Sequence, residues 1–304
     1  MMKNYLPKHE RAGKSVAFVL TDRDIEILRA VNRYRYLRTG QIKRLVFPEN
    51  TTEQSARRRL KYLFHNGYLG RVMPFVRVGE GSSETAYYVD KAGRDILQQA
   101  GEEIAAYATG GQVKHQFLDH ALDISEFRVH LELALADHPT VEMHRFTADF
   151  EVKTHTANAI GKRRYKLFDE VAHPVTKESY VVYPDALIVL KGKGSLEQYQ
   201  RLYFVEIDRG TEGLNVIKDK IIGYSLYLKQ NVFAKFGKFK TFVVLLQTNS
   251  AKRAENIRHF LTGIDGAELV WISEAGQVKQ ETIVISPIWQ DHELKMRTIL
   301  KGQE

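Results

Sequence analysis

The stretch Asn50-Thr51-Thr52-Glu53-Gln54-Ser55-Ala56-Arg57-Arg58-Arg59-Leu60-Lys61-Tyr62-Leu63-Phe64-His65-Asn66-Gly67 decides how this chain is read. It is polar at its start, basic in its middle and apolar towards its end. A helix from roughly Thr51 to His65, turning about 100° per residue, puts Ala56, Leu60, Leu63 and Phe64 on one stripe. Arg58 then points almost directly away from Leu60, and Thr51, Gln54, Ser55 and Tyr62 share its side. Arg57 and Arg59 flank the stripe, and Lys61 lies beside the outer face. A packed stripe backed by a cationic face is what a helix entering a nucleic-acid groove requires.

The flanking sequence extends this pattern. Thr21-Asp22-Arg23-Asp24 carries the cap and early acids of a helix start, and Ile25, Leu28, Val31 and Asn32 follow at helical spacing, with Ile27 and Tyr34 at the edge. A second, shorter helix begins near Arg38-Thr39-Gly40-Gln41 and stops at Phe47-Pro48. After the third helix come strand-like runs at 71–78 and 84–89 around Gly79-Glu80-Gly81-Ser82-Ser83, then a helix from Lys91 to Leu97. Three helices followed by a hairpin predict a winged helix-turn-helix over residues 15–108. Its expected contacts with double-stranded DNA place Thr51, Gln54, Ser55 and Arg58 at the groove, Arg57, Arg59 and Lys61 on phosphates, and Arg71 and Arg77 at the backbone or minor groove.

The charge distribution agrees. The chain of 304 residues has a net charge of +8. Residues 1–112 hold 19 Lys and Arg against 12 Asp and Glu, while the remainder holds 26 against 25. The excess therefore sits with the arginine-bearing helix, as an electrostatic footprint for a polyanion would. Cysteine is absent, which excludes disulfides and thiolate metal sites. No apolar run is long enough for a membrane span, and the polar start lacks a signal-peptide core, so a cytoplasmic location is expected.

Thr109-Gly110-Gly111-Gln112 marks a joint. Beyond it the pattern predicts a helix from His115 to Ala136, strands at 141–150, 180–190 and 202–207, a helix at 213–229, a strand at 241–246, a helix at 252–261 and a strand at 269–272. This is an α/β domain with a central mixed sheet over 113–290, and a helical tail is expected at 291–304. The acids fall at telling places. Asp185 follows Pro184 inside the predicted strand Val181–Val189, and Glu206 and Asp208 end the next, on one face by alternation. Acids on adjacent strands can share a divalent cation. His115, His120 and His130 lack the i, i+4 spacing of a helical zinc pair. Neither a phosphate-cradling glycine loop nor a serine nucleophile elbow is present.

These residues resemble the PD-(D/E)xK nuclease superfamily, and more specifically the replication-relaxation family of bacterial plasmids and mobile elements. Leu20-Thr21-Asp22-Arg23-Asp24-Ile25, Arg57-Arg58-Arg59-Leu60-Lys61 and Glu206-Ile207-Asp208-Arg209-Gly210-Thr211-Glu212 carry the resemblance, with Tyr224, Tyr227 and Pro287-Ile288-Trp289 downstream. It implies a role in plasmid replication or DNA relaxation. It also implies catalytic positions at Asp185, Glu206, Asp208 and Lys220, with Asp185, Glu206 and Asp208 holding Mg or Mn, and it suggests that Glu126 approaches them. The chain departs from the nuclease pattern by placing Asp208 where lysine is usual. Lys220 can substitute from the following helix, Asp208 can be a third ligand, or the acids can pair with nearby bases in an inactive scaffold.

The resulting expectation is a sequence-selective duplex-DNA-binding protein acting in replication, relaxation or transcriptional control of a plasmid or mobile element, with an inactive nuclease-like domain. Its partners would be double-stranded DNA, replication or relaxation proteins of the same element, and a second copy in a homodimer. The alternative is a Mg- or Mn-dependent endonuclease, a nickase, targeted by the winged helix.

Overall fold

The computed structural model describes residues 10–12, 16–74, 84–104, 115–153 and 161–300. The chain forms two compact units, Met1–Val129 and His130–Glu304. The expected joint at Thr109–Gln112, the wing tip at Gly79–Ser83 and Arg77 all lie outside the described residues. The boundary between the units falls within a long helix rather than at the paired glycines.

In the first unit, α1 (Asp22–Tyr34) is followed by β1 (Leu37–Arg38), α2 (Thr39–Val46), α3 (Glu53–His65), β2 (Leu69–Val72), β3 (Ala86–Val89) and α4 (Lys91–Gln99). The three strands form an antiparallel sheet in the order β1-β3-β2. Thr52 caps α3, its hydroxyl accepting from the Ser55 N–H at 3.2 Å. Ala56, Leu60, Leu63 and Phe64 are buried, as the periodicity requires. α1 is rolled relative to expectation. Its buried side carries Asp24, Ile27, Leu28, Val31, Asn32 and Tyr34, whereas Ile25 stays half-buried. The cause is Asp24, whose carboxylate accepts from the Thr21 N–H at 2.7 Å and turns into the core with the apolar side chains.

The helix α5 (His115–Leu135) starts in the first unit. There Leu118 and Leu122 pack with Tyr36 and Ala86. Glu126, which the resemblance places near the acidic centre, belongs to the first unit. Its carboxylate takes Gln41 Nε2 at 2.7 Å and Arg44 at 2.5 Å, both on α2.

The second unit holds β4 (Val141–Ala148), β5 (Asp169–Ala172), β6 (Ser179–Val182), β7 (Ala186–Gly192), β8 (Gln200–Asp208), α6 (Leu214–Lys229), β9 (Val243–Thr248), α7 (Ala251–Leu261), β10 (Val270–Glu274), β11 (Trp289–Gln290) and β12 (Met296–Arg297). Seven strands form one mixed sheet in the order β12-β11-β10-β9-β8-β7-β4. β8, β9 and β10 are parallel, joined through α6 and α7, and β7 and β4 continue the sheet antiparallel. One core joins Leu202, Phe204, Val244, Leu246 and Ile272 of the sheet to Ile217, Ile221, Tyr224, Ala254 and Ile257 of the helices.

Two local expectations fail. The strand predicted across Val181–Val189 breaks at Pro184. Val181 and Val182 pair with β5 in a separate hairpin, and the large sheet resumes at Ala186. Proline offers no N–H to a ladder, so it marks the change of sheet. The tail predicted as helix is not helical over 291–300. The Asp291 carboxylate accepts from the backbone N–H of Glu293 and Lys295, both at 2.9 Å, and from Arg297 Nε at 2.7 Å. This side-chain turn competes with a helical start and leads into β12, which pairs with β11.

A Cβ placed on Gly93 of α4 would lie 2.2 Å from the backbone oxygen of Tyr68, so α4 and the turn ahead of β2 approach there only through glycine. Gly93→Ala is expected to cost about 2 kcal/mol through forced separation of the two elements. Urea denaturation of wild type and variant checks this. An unchanged midpoint would mean the contact yields without strain.

Candidate functional site

The first candidate surface is the outer side of α3. Gln54, Ser55, Arg57 and Arg58 are exposed, and Thr51 and Lys61 are half-buried beside them. The Ser55 hydroxyl lies 2.8 Å from that of Thr52. Arg57 pairs with Glu53 at 2.7 Å one turn away, with both side chains largely in solvent. The Arg58 guanidinium sits 5.8 Å from the Tyr62 ring centroid.

Arg59, expected on a phosphate, is placed otherwise. It donates to both carboxylate oxygens of the fully buried Asp24, and from Nη2 to the Val19 carbonyl at 2.8 Å. The bond to Asp24 raises the Arg59 pKa above its ordinary value. Asp24 reads from sequence only as a helix-start acid, and its second role depends on a partner 35 residues away. Arg71 on β2 is half-buried, its guanidinium 4.2 Å from the Phe64 ring centroid.

The second candidate is the acidic centre of the other unit. Glu206 and Asp208 both face the helices, as strand alternation predicts, but they go to different partners. Glu206 accepts from the Tyr224 hydroxyl at 2.6 Å and from Lys220 Nζ at 3.1 Å, both on α6. Lys220 also reaches Glu212 at 2.9 Å. Asp208 accepts from Arg253 Nε of α7 at 2.8 Å and from the Gly210 N–H at 3.1 Å. Asp185 Oδ2 accepts from the Ile207 N–H at 2.7 Å. Lys220, read from sequence as a group able to reach this strand end, lies beside Glu206; Glu212 carries no role of its own in that reading, and Arg253 does not figure in it. Arg253 lies three residues after Ser250, the cap of α7, so the first turn of that helix aims it at the end of β8.

Electrostatics follow from burial. Desolvation raises the pKa of Glu206 despite the counteracting Lys220 ammonium, and Asp185 raises it further. Burial works against the charge of Lys220, yet Glu206, Asp185 and Glu212 together hold its pKa above the usual range. The Tyr224 hydroxyl is pushed well up, by burial first and by Glu206 second. A cavity of about 730 Å³ opens beside this centre. Its charged lining is Glu178, Asp185, Glu212 and Asp219 against Lys162 and Lys220.

As placed, these donors do not fit a divalent cation. Both Glu206 oxygens receive hydrogen bonds, and Asp208 is turned to Arg253 instead of joining Glu206. Among the described residues no group of three His, Cys, Asp or Glu side chains could hold a metal ion. The basic run Lys162–Lys166 has partners of its own. Arg163 pairs with Glu170 at 2.8 Å, and Lys166 pairs with Glu151 at 3.0 Å.

The Glu206–Lys220 pair gives a signed pH prediction. The raised pKa of Glu206 means the unfolded chain loses this proton first as pH rises. Stability from this group is therefore full at low pH and declines from the ordinary carboxylate range up to its raised value. Lys220→Ala removes the counter-charge and deepens that decline. The variant should match wild type closely near pH 4 and be less stable by ~3 kcal/mol near pH 8. Urea midpoints across this range measure it, and a pH-independent difference would show that Glu206 does not carry the effect.

Among the described residues no helix is long and apolar enough to cross a membrane. No curated protein and no solved structure gives a significant match to the chain. The family model described as replication-relaxation matches residues 28–242, a span that contains α3, Asp185, Glu206 and Lys220. That is more than half of the 304 residues, and the chain belongs to the replication-relaxation family.

Proposed function

We propose that this protein binds duplex DNA with sequence selectivity through a winged helix-turn-helix in its first unit, in the replication, relaxation or transcriptional control of a plasmid or mobile element. The observation that carries this reading is the outer side of α3. Gln54, Ser55, Arg57 and Arg58 are exposed there, while Ala56, Leu60, Leu63 and Phe64 of the same helix are buried. The order α1-β1-α2-α3-β2-β3, the surplus of basic residues in the first 112 positions and the family membership support it. In this reading Gln54, Ser55 and Arg58 meet base edges. Thr51, Arg57, Lys61 and Arg71 hold the backbone, and Arg59 orients the helix from within.

The second unit then acts as an inactive nuclease-like scaffold that serves assembly or sensing on DNA. Two observations favour this over a working endonuclease. Asp208 is engaged by Arg253 away from Glu206, and the neighbouring cavity carries more carboxylates than ammonium groups. A net negative opening repels a phosphate backbone unless cations offset it.

Duplexes enriched from a random pool should bind with an affinity that falls at least ~100-fold between 50 and 200 mM salt. Arg58→Ala should cost about 1–3 kcal/mol on the enriched duplex and relax its sequence preference, whereas Lys61→Ala should weaken all duplexes alike and lower the salt slope by about one. Fluorescence anisotropy reads both variants. No duplex binding at low salt would reject the proposal. Nicking of supercoiled plasmid by wild type with Mg or Mn, abolished by Asp185→Ala, would replace the scaffold with the endonuclease.

A further inference from the structure

The segment ahead of α1 is fastened to α3 at two places. Near the helix end, Arg11 donates to the Phe64 carbonyl at 3.1 Å and the Leu69 carbonyl at 3.2 Å, and pairs with Asp90, the cap of α4. The Ala12 N–H donates to Nδ1 of the buried His65 at 3.0 Å. Near the helix middle, the Phe18 ring stacks on Tyr62 with centroids 5.8 Å apart and planes at 27°. The Arg59 guanidinium lies 4.3 Å from the Phe18 centroid while holding the Val19 carbonyl and Asp24.

Tyr62 links this segment to the exposed side of α3. One of its neighbours is Phe18, and another is the Arg58 guanidinium, 5.8 Å from its ring. A chain of ring and cation contacts thus runs from the N-terminal segment through Tyr62 to the residue assigned to base readout. The segment lies against the Arg59 side of the helix and leaves Arg58, Gln54 and Ser55 exposed.

We infer that Arg11–Ala12 and Val16–Leu20 form a brace that sets the roll of α3, and that Phe18 is a positioning residue for sequence discrimination by Arg58. This rests on the DNA-binding reading above. A guanidinium on a phosphate tolerates a change of helix roll, because the attraction is long-range and nearly non-directional. A bidentate bond to a base edge does not, because both donors must meet fixed acceptors. Loosening the brace therefore falls on selectivity and spares general affinity.

The test uses the full chain and two duplexes, one that wild type enriches from a random pool and a scrambled one of equal length. Phe18→Ala should lower the ratio of the two affinities by about tenfold, with the salt slope unchanged. Phe18→Tyr should restore the ratio by restoring the stack, and Phe18→Leu should not. An unchanged ratio, or equal weakening on both duplexes, overturns the proposal. Amide hydrogen exchange over Ala56–Tyr62 reads the brace without DNA. Faster exchange in Phe18→Ala supports the brace, and unchanged exchange overturns it. A wild type that binds no duplex but shows the exchange effect would refute the DNA-binding reading while leaving the brace in place.

Discussion

A carboxylate removed from water must be matched by a donor or a cation, and in both units that requirement fixes how the helices sit. Asp24 is fully buried at the start of α1, and Arg59 of α3 reaches in to meet it. Leaving such a charge unmatched costs about 3–5 kcal/mol, several times the worth of an exposed pair. The Asp24–Arg59 contact therefore holds the orientation of α3 relative to α1 far more firmly than the Arg57–Glu53 pair on the helix surface. The second unit repeats the logic. Glu206 ties β8 to α6 through Lys220 and Tyr224, and Asp208 ties the same strand to α7 through Arg253.

Matching these acids also shapes what the second unit can do. Each carboxylate that the sequence suggests as a metal ligand already accepts hydrogen bonds from the protein. Lys220 stands at the centre as a counter-charge, and Asp208 has its own cation on a different helix. The arrangement keeps the parallel strands and crossover helices in register through polar contacts at the strand ends, beside an apolar core that packs the rest of the same face. A sheet of this type places functional groups at the carboxyl ends of its strands, which is where Glu206 and Asp208 lie.

The sequence made the local elements legible because their signals are local. The stripe Ala56–Leu60–Leu63–Phe64, the cap at Thr52 and the parallel-strand runs at β8 and β9 need only neighbours a few positions away. The side-chain partners were less legible because they depend on long separations. Nothing near Asp24 announces Arg59, and nothing near Asp208 announces Arg253. Pro184 is a visible signal that admits two meanings, a strand position or a break. It marks a change of sheet, whereas the β-rich run around it reads as one continuous strand. The tail misled for the opposite reason, since Asp291 forms a side-chain turn where its neighbours have no marked dislike of helix.

Counting basic residues overstates the cations a surface can offer, and the three consecutive arginines show why. A guanidinium can exchange its protein partner for a phosphate only if the partner it abandons remains in water. Arg57 meets this condition, because Glu53 is largely exposed and loses little when released. Arg59 does not, because releasing Asp24 would strand a buried charge. Among the described residues Arg58 has the Tyr62 ring beside it, so it can turn to a ligand while keeping that ring as a backing. Three residues identical in sequence thus stand in three different settings, set by the burial of whatever lies opposite each one.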